Sequence, residues 1–114
     1  MNHGVLFHID EPEKWGLLLR NVSNLREAAP LREIRIEVVA NARAVSFYAG
    51  RGEDADRARM RELARAGVRF TACSNALRGL NIPKEQLPAF VEVVPAGVLE
   101  LVEKQAQGYA YIKP

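Results

Sequence analysis

The sequence predicts an α/β protein of three layers, a mostly parallel five-stranded sheet covered by helices on both faces. Three observations carry that expectation. Short runs rich in β-branched and aromatic residues alternate along the chain with segments of helical period. The connections are short, so each helix has to cross back over the sheet before the next strand can start parallel to the last. One strand, IRIEVVA at 34–40, begins with polar alternation and ends wholly apolar, as a strand does when it passes from a sheet margin into the interior.

The elements follow in order. GVLFHI (4–9) is a buried strand that stops at the turn-like DEPEK. In EKWGLLLRNVSNLREAA, Trp15, Leu18, Val22, Leu25 and Ala29 recur at spacings of three and four, which draws one apolar stripe on a helix, and Pro30 closes it. IRIEVVA is the second strand. ARAVSFYAG contains alanines that favour helix and Phe47 and Tyr48 that favour strand, and is expected as a short helix. EDADRARMRELARAG is a helix with acids first, arginines later and Gly67 as its stop, an order that complements the helix dipole.

VRFTA (68–72) is the third strand, and CSNALRGL begins a helical turn that ends near Gly79. NIPKEQL starts another short helix, capped by Asn81 with Pro83 in its first turn. VEVV (91–94) is the fourth strand. PAGVLELVEKQAQG is a helix with Val98, Leu101, Val102 and Gln105 on one face and Gly108 as its stop, and YAYI is a closing strand.

A chain of 114 residues with 48% hydrophobic content can bury a core as one domain, 1–114, without staples. Sixteen Lys and Arg against fourteen Asp and Glu leave a net charge of only +2, so no polycationic surface argues for nucleic acid. The arginines 57, 59, 61 and 65 interleave with acids and read as an ion-paired, solvated face. No run approaches the roughly 20 apolar residues that span a bilayer, and the amino terminus lacks a basic leader and a cleavage site, so the expectation is a cytoplasmic protein without a membrane partner.

Cofactor and metal chemistry find little support. A phosphate-binding loop after the first strand would be rich in Gly, Ser or Thr, whereas DEPEK carries carboxylates that repel phosphate. His3, His8 and one cysteine have no metal-ligand spacing. No cofactor is expected.

That cysteine, Cys73, is the residue that asks for chemistry. It stands where a strand pattern turns into a helix, and backbone N–H groups without intrahelical partners at a helix start favour thiolate over thiol. Free cysteine is also among the most buried residue types, so position alone leaves a packed thiol open. As the only cysteine it can form no internal disulfide.

GVRFTACSNALRGLNI, followed by VEVVPAGVLELVEKQAQGYAYIKP, resembles the DsrE/DsrF-like family of small intracellular sulfur-handling proteins, and VLFHIDEPEKWGLLLRNVSNL and VVANARAV are similar to its N-terminal half. The strand–Cys–short helix element and the VVPAGV to GYAYIKP close are the specific parts. The resemblance implies a flavodoxin-like α/β sandwich that assembles as trimers, hexamers or related oligomers. In sulfur-transferring members it implies a cysteine after the third strand that carries a persulfide, and Cys73 occupies that position. Cys73 would then relay sulfur from a persulfide donor protein to an acceptor thiol, a sulfurtransferase activity. Members without a working cysteine act as binding or scaffold subunits, and that is the alternative here.

A flavodoxin-like strand order 2-1-3-4-5 would set the first and third strands side by side, bringing His8, Asp10 and Cys73 to one edge. His8 would then serve as a base or hydrogen-bond partner. Ser74 and Asn75 offer donors beside the sulfur, and Arg78 lies one turn on. Tyr109 and Tyr111 share a strand face of a kind enriched at subunit contacts.

Overall fold

The computed structural model describes residues 3–29, 33–50 and 54–114. Pro30, expected to close the first helix, and Glu53, the first acid expected before the second, lie outside the described residues. Strand β1 (His3–Ile9) runs parallel to β2 (Ile34–Ala40), with His3 opposite Ile34 and Ile9 opposite Ala40. β3 (Arg69–Cys73) flanks β2 on its other side, β4 (Val91–Val94) flanks β3, and β5 (Ala110–Ile112) returns beside β1. All pairings are parallel, and the order is β4-β3-β2-β1-β5.

This order replaces the expected 2-1-3-4-5. Residues 36–40 of β2 are buried without a break, which suits the central strand of five and not the edge strand that the flavodoxin order would make of it. Three crossovers, through α1 (Trp15–Ala28), α2 (Ala55–Arg65) and α3 (Ser74–Gly79), advance in one direction over one face. Only α4 (Gly97–Ala106) crosses back, over the opposite face, to deliver β5 beside β1. The sandwich has three layers, but they are unequal.

On the larger face Val5, Phe7, Ile9, Val38 and Phe70 of the sheet meet Trp15, Leu18, Leu19, Val22, Met60 and Leu63 of the helices. The stripe of α1 is buried as its spacing implies, and a short 3₁₀ turn, Pro12–Lys14, leads into it from DEPEK. The ambiguous ARAVSFYAG is helical, in the tighter 3₁₀ form over Ala42–Ala49. Helix α2 is capped by Asp54, whose Oδ1 accepts from the Arg57 backbone N–H at 2.8 Å, and it ends at Gly67 with φ +104°. Asn81 does not cap a following helix. It takes a left-handed φ of 55° just after α3, and the next turn is only Lys84–Gln86, preceded by Pro83.

The smaller face is covered by α4, and its orientation corrects the sequence reading. Gly97, Glu100 and Leu101 are buried, whereas Val98 and Val102 are each 63% exposed and Gln105 is exposed too. Charged side chains turn inward because the sheet presents charged partners to them. The buried apolar contacts here reduce to Leu6, Val39 and Leu101, with Tyr109 against them. No helix among the described residues is long and apolar enough to cross a membrane.

Candidate functional site

The connection after β3 leaves over one face and the connection after β4 over the other, so a crevice opens between the carboxyl ends of these two strands. Open parallel sheets bind their ligands at such a divergence. Cys73 is the last residue of β3, opposite Val94 of β4, with extended backbone (φ −69°, ψ 121°), and α3 begins at the next residue. Its strand is pinned close by. Thr71 donates its hydroxyl to the Val38 carbonyl, and the buried Tyr48 donates its own to the Thr71 carbonyl, both at 2.9 Å.

The thiol is only 7% exposed, because the first turn of α4 lies on it. A Cβ added at Gly97 would stand 3.1 Å from Asn41 Cβ and 3.3 Å from Cys73 Cβ. Glycine is what permits the approach. Gly97 is the first residue of α4, where alanine gains little helix propensity over glycine, so Gly97→Ala should cost about 1 kcal/mol through overpacking. Alkylation of Cys73 should also speed up by about threefold, as the turn is lifted off the sulfur. An unchanged rate would mean that Gly97 does not control access.

His8 is two strands from Cys73, yet it is tied to the same edge. Its Nε2 donates to Asn41 Oδ1 at 3.0 Å, and its Nδ1 is hydrogen-bonded to the Tyr111 hydroxyl at 2.6 Å. With both ring nitrogens engaged, His8 makes no direct bond to the sulfur, and its link to Cys73 runs through Asn41, whose Cβ flanks the same point above Gly97. Asn41, at the end of β2, escapes sequence reading, and Tyr111, on β5, is expected there only as a subunit contact, because the strand order that unites them with His8 is not a local property. Asp10 closes this edge with an ion pair to Lys113 at 3.2 Å.

Ser74, Asn75 and Arg78 do come together. Arg78 donates to Ser74 Oγ at 3.1 Å and to Asn75 Oδ1, bracing the first turn of α3 from its exposed side. No three His, Cys, Asp or Glu side chains among the described residues converge as metal ligands.

A second charged cluster lies further down the same face, beneath α4. Arg69 Nη1 donates to Glu37 Oε1 at 2.8 Å and to Glu100 Oε2 at 3.0 Å, while its Nη2 donates to Glu92 Oε2 at 2.7 Å. Lys104 Nζ stands 3.8 Å from Glu37 Oε1. Burial pushes the Glu37 carboxyl up to about 7, helped by its hydrogen bond with Glu100 and opposed by Arg69. That same bond holds Glu100 below the usual carboxylate range, and the Arg69 hydrogen bond does so for Glu92. The available signals were Glu37 within an apolar strand and the i, i+4 spacing of Glu100 and Lys104.

A model of the DsrE/DsrF-like family matches residues 17–114. Among solved structures, the chain is similar to the protein of unknown function MTH1491 from Methanobacterium thermoautotrophicum, with 40% identity, a TM-score of 0.85, and 98% of this chain and 99% of that one covered. It shares its fold with the YchN protein from E. coli at 18% identity, with a TM-score of 0.75 over the full length of both chains. No curated protein matches.

Proposed function

The chain belongs to the DsrE/DsrF-like family, and we propose that within it this protein accepts sulfane sulfur as a persulfide on Cys73 and hands it to an acceptor thiol. The observation that carries the reading is the location of Cys73. It ends β3 in the crevice where the connections to α3 and α4 part, so two helix starts flank the sulfur.

The Cys73 thiolate attacks the outer sulfur of a donor persulfide, R–S–SH. The donor S–S bond breaks, R–S⁻ leaves with the electron pair, and Cys73–S–SH forms. An acceptor thiolate then attacks that outer sulfur and returns Cys73 as thiolate. No net oxidation occurs in either step, and the chain has no second cysteine to divert the intermediate into an internal disulfide. Ser74 and Asn75 line the start of α3 beside the sulfur, Arg78 brings positive charge to its rim, and His8 steadies the edge through Asn41.

The proposal includes the partners. Donor and acceptor are proteins bearing persulfide and thiol groups in a reducing cytoplasm, and the working unit is a homo-oligomer. The exposed Val98, Leu99 and Val102 of α4, with Tyr111 and Ile112 of β5, support a subunit contact on this side.

Intact mass tests the relay. Incubation with a small persulfide donor should add about 32 Da, one sulfur, and Cys73→Ser should abolish the gain. A second reading, a binding or scaffold subunit with a packed thiol, is favoured by the 7% exposure of Cys73. Absence of the adduct with several donors would select it.

A further inference from the structure

We infer that α4 is a proton-controlled cover on the β3–β4 crevice, seated while Glu37 holds a proton for Glu100 and loosened at its first turn over Cys73 when that proton is lost. The cover itself is independent of the sulfur relay, whereas its use as a gate rests on that reading.

The seat is unusual in what holds it. Helix α4 turns Gly97, Glu100, Leu101 and Lys104 toward the sheet, and Leu101 with Leu6, Val39 and Tyr109 makes the apolar part of the contact. The rest is ionic. A single nitrogen, Arg69 Nη1, lies within 3.0 Å of carboxylate oxygens from both Glu37 and Glu100, so the two carboxyls crowd one site. Two carboxylates so placed cannot both ionise cheaply.

The location of the proton follows from one atom. Glu37 is 2% exposed, and no donor reaches its buried Oε2, so a hydrogen bond to Glu100 exists only if that oxygen carries a proton. As a bare carboxylate oxygen it would bear the full desolvation cost, whereas as O–H it becomes a donor to the neighbouring Glu100 carboxylate.

The surroundings of Glu37 are fully charged on three sides. β3 supplies Arg69, β4 supplies Glu92 through Arg69, and α4 supplies Glu100 and Lys104. Arg35 precedes it by two residues on its own strand, β1 sets the uncharged Leu6 opposite, and the buried Tyr48 senses its charge from the other face. Three acids therefore face two bases in the cluster, and one shared proton balances it.

The direction with pH follows. Glu37 is raised from 4.5 to about 7, so its contribution is complete below 4.5 and is lost as pH rises through about 7. Glu92 and Glu100 are lowered, so their contributions are lost only in acid, below their ordinary 4.5. Between these limits the seat weakens as pH rises. Gly97 sits one turn before Glu100 on the same inward face, so loosening reaches the turn that covers Cys73.

Glu37→Gln reproduces the protonated form, with an amide N–H in place of the O–H and no charge to lose. The test compares Cys73 alkylation rates of wild type and Glu37→Gln in the full chain, because thiolate ionisation cancels in the ratio. That ratio should rise steadily from about pH 5 and level off above about pH 7, increasing by about threefold or more between about pH 6 and about pH 8. A flat ratio overturns the inference. Carboxyl ¹³C NMR of the wild type, which needs no variant, should show one glutamate titrating near 7, and its absence also overturns it. A rising ratio with no persulfide adduct would keep the cover and remove the relay.

Discussion

Trp15→Ala should cost about 5 kcal/mol, enough to leave much of a typical domain unfolded at 25 °C. The indole is 1% exposed at the start of α1, stacked 5.0 Å from the Phe47 ring, edge-on to Tyr48 at 5.2 Å and 6.5 Å from Phe70. Its Nε1 donates to the Ala44 carbonyl at 2.9 Å. Loss of the ring removes about 3–5 kcal/mol of burial and packing, and the orphaned buried carbonyl adds about 1 kcal/mol. In urea the midpoint should fall by about 2 M or more, with an unchanged slope. Trp15→Phe keeps a ring but not the donor and should cost about 2 kcal/mol. A loss below about 1 kcal/mol in Trp15→Ala would mean that the ring cluster does not hold this half of the molecule.

The consequence reaches the crevice. Phe47 and Tyr48 belong to the 3₁₀ segment that Trp15 clamps, Arg57 of α2 sits over the Phe47 ring at 4.3 Å, and Tyr48 grips β3 at Thr71, two residues before Cys73. The cysteine is thus positioned from below by the aromatic cluster and covered from above by α4. Alkylation of Cys73 in Trp15→Phe should accordingly be faster than in wild type.

Which parts of this were legible beforehand has a physical pattern. Strands β2 and β4 match the IRIEVVA and VEVV runs, and α2 follows Asp54 and Gly67, because β-branched runs, caps and stops act within a few residues of sequence. The strand order depends on which crossover reverses, and nothing local encodes that. The flavodoxin-like order would set His8 beside Cys73, whereas β2 lies between them. The apolar pattern points to the wrong inward face of α4 for a related reason. Sorting apolar residues inward turns Val98 and Val102 to the core, and only the pairing of Glu37 with Arg69 across β2 and β3 reveals that Glu100 and Lys104 have partners there. Cys73 was legible as a strand-end residue, but its cover was not, since Gly97 approaches it from the far end of the next strand.

Arg69→Met should be the most damaging change on the smaller face. Arg69 neutralises three carboxylates at once, and the methionine stem would retain packing while removing every one of those bonds. Breaking a buried pair by deleting one partner costs about 3–5 kcal/mol, and because Arg69 keeps 35% of its side chain exposed, solvent screening brings the expectation to about 3 kcal/mol near pH 7.5. The sign of the pH response is distinctive. Without the cation Glu37 and Glu100 hold protons more tightly, and acids raised in the folded state stabilise it toward low pH, so part of the loss should return by about pH 5. A triple variant, Arg69→Met with Glu37→Leu and Glu100→Met, exchanges the buried ionic core for apolar contacts and should regain most of the stability at about pH 7.5. The triple variant should also lose the pH dependence of Cys73 access, since no proton remains to seat α4. If Arg69→Met costs less than about 1 kcal/mol at both pH values, the cluster is solvated decoration and α4 is held by Leu101 and its neighbours alone.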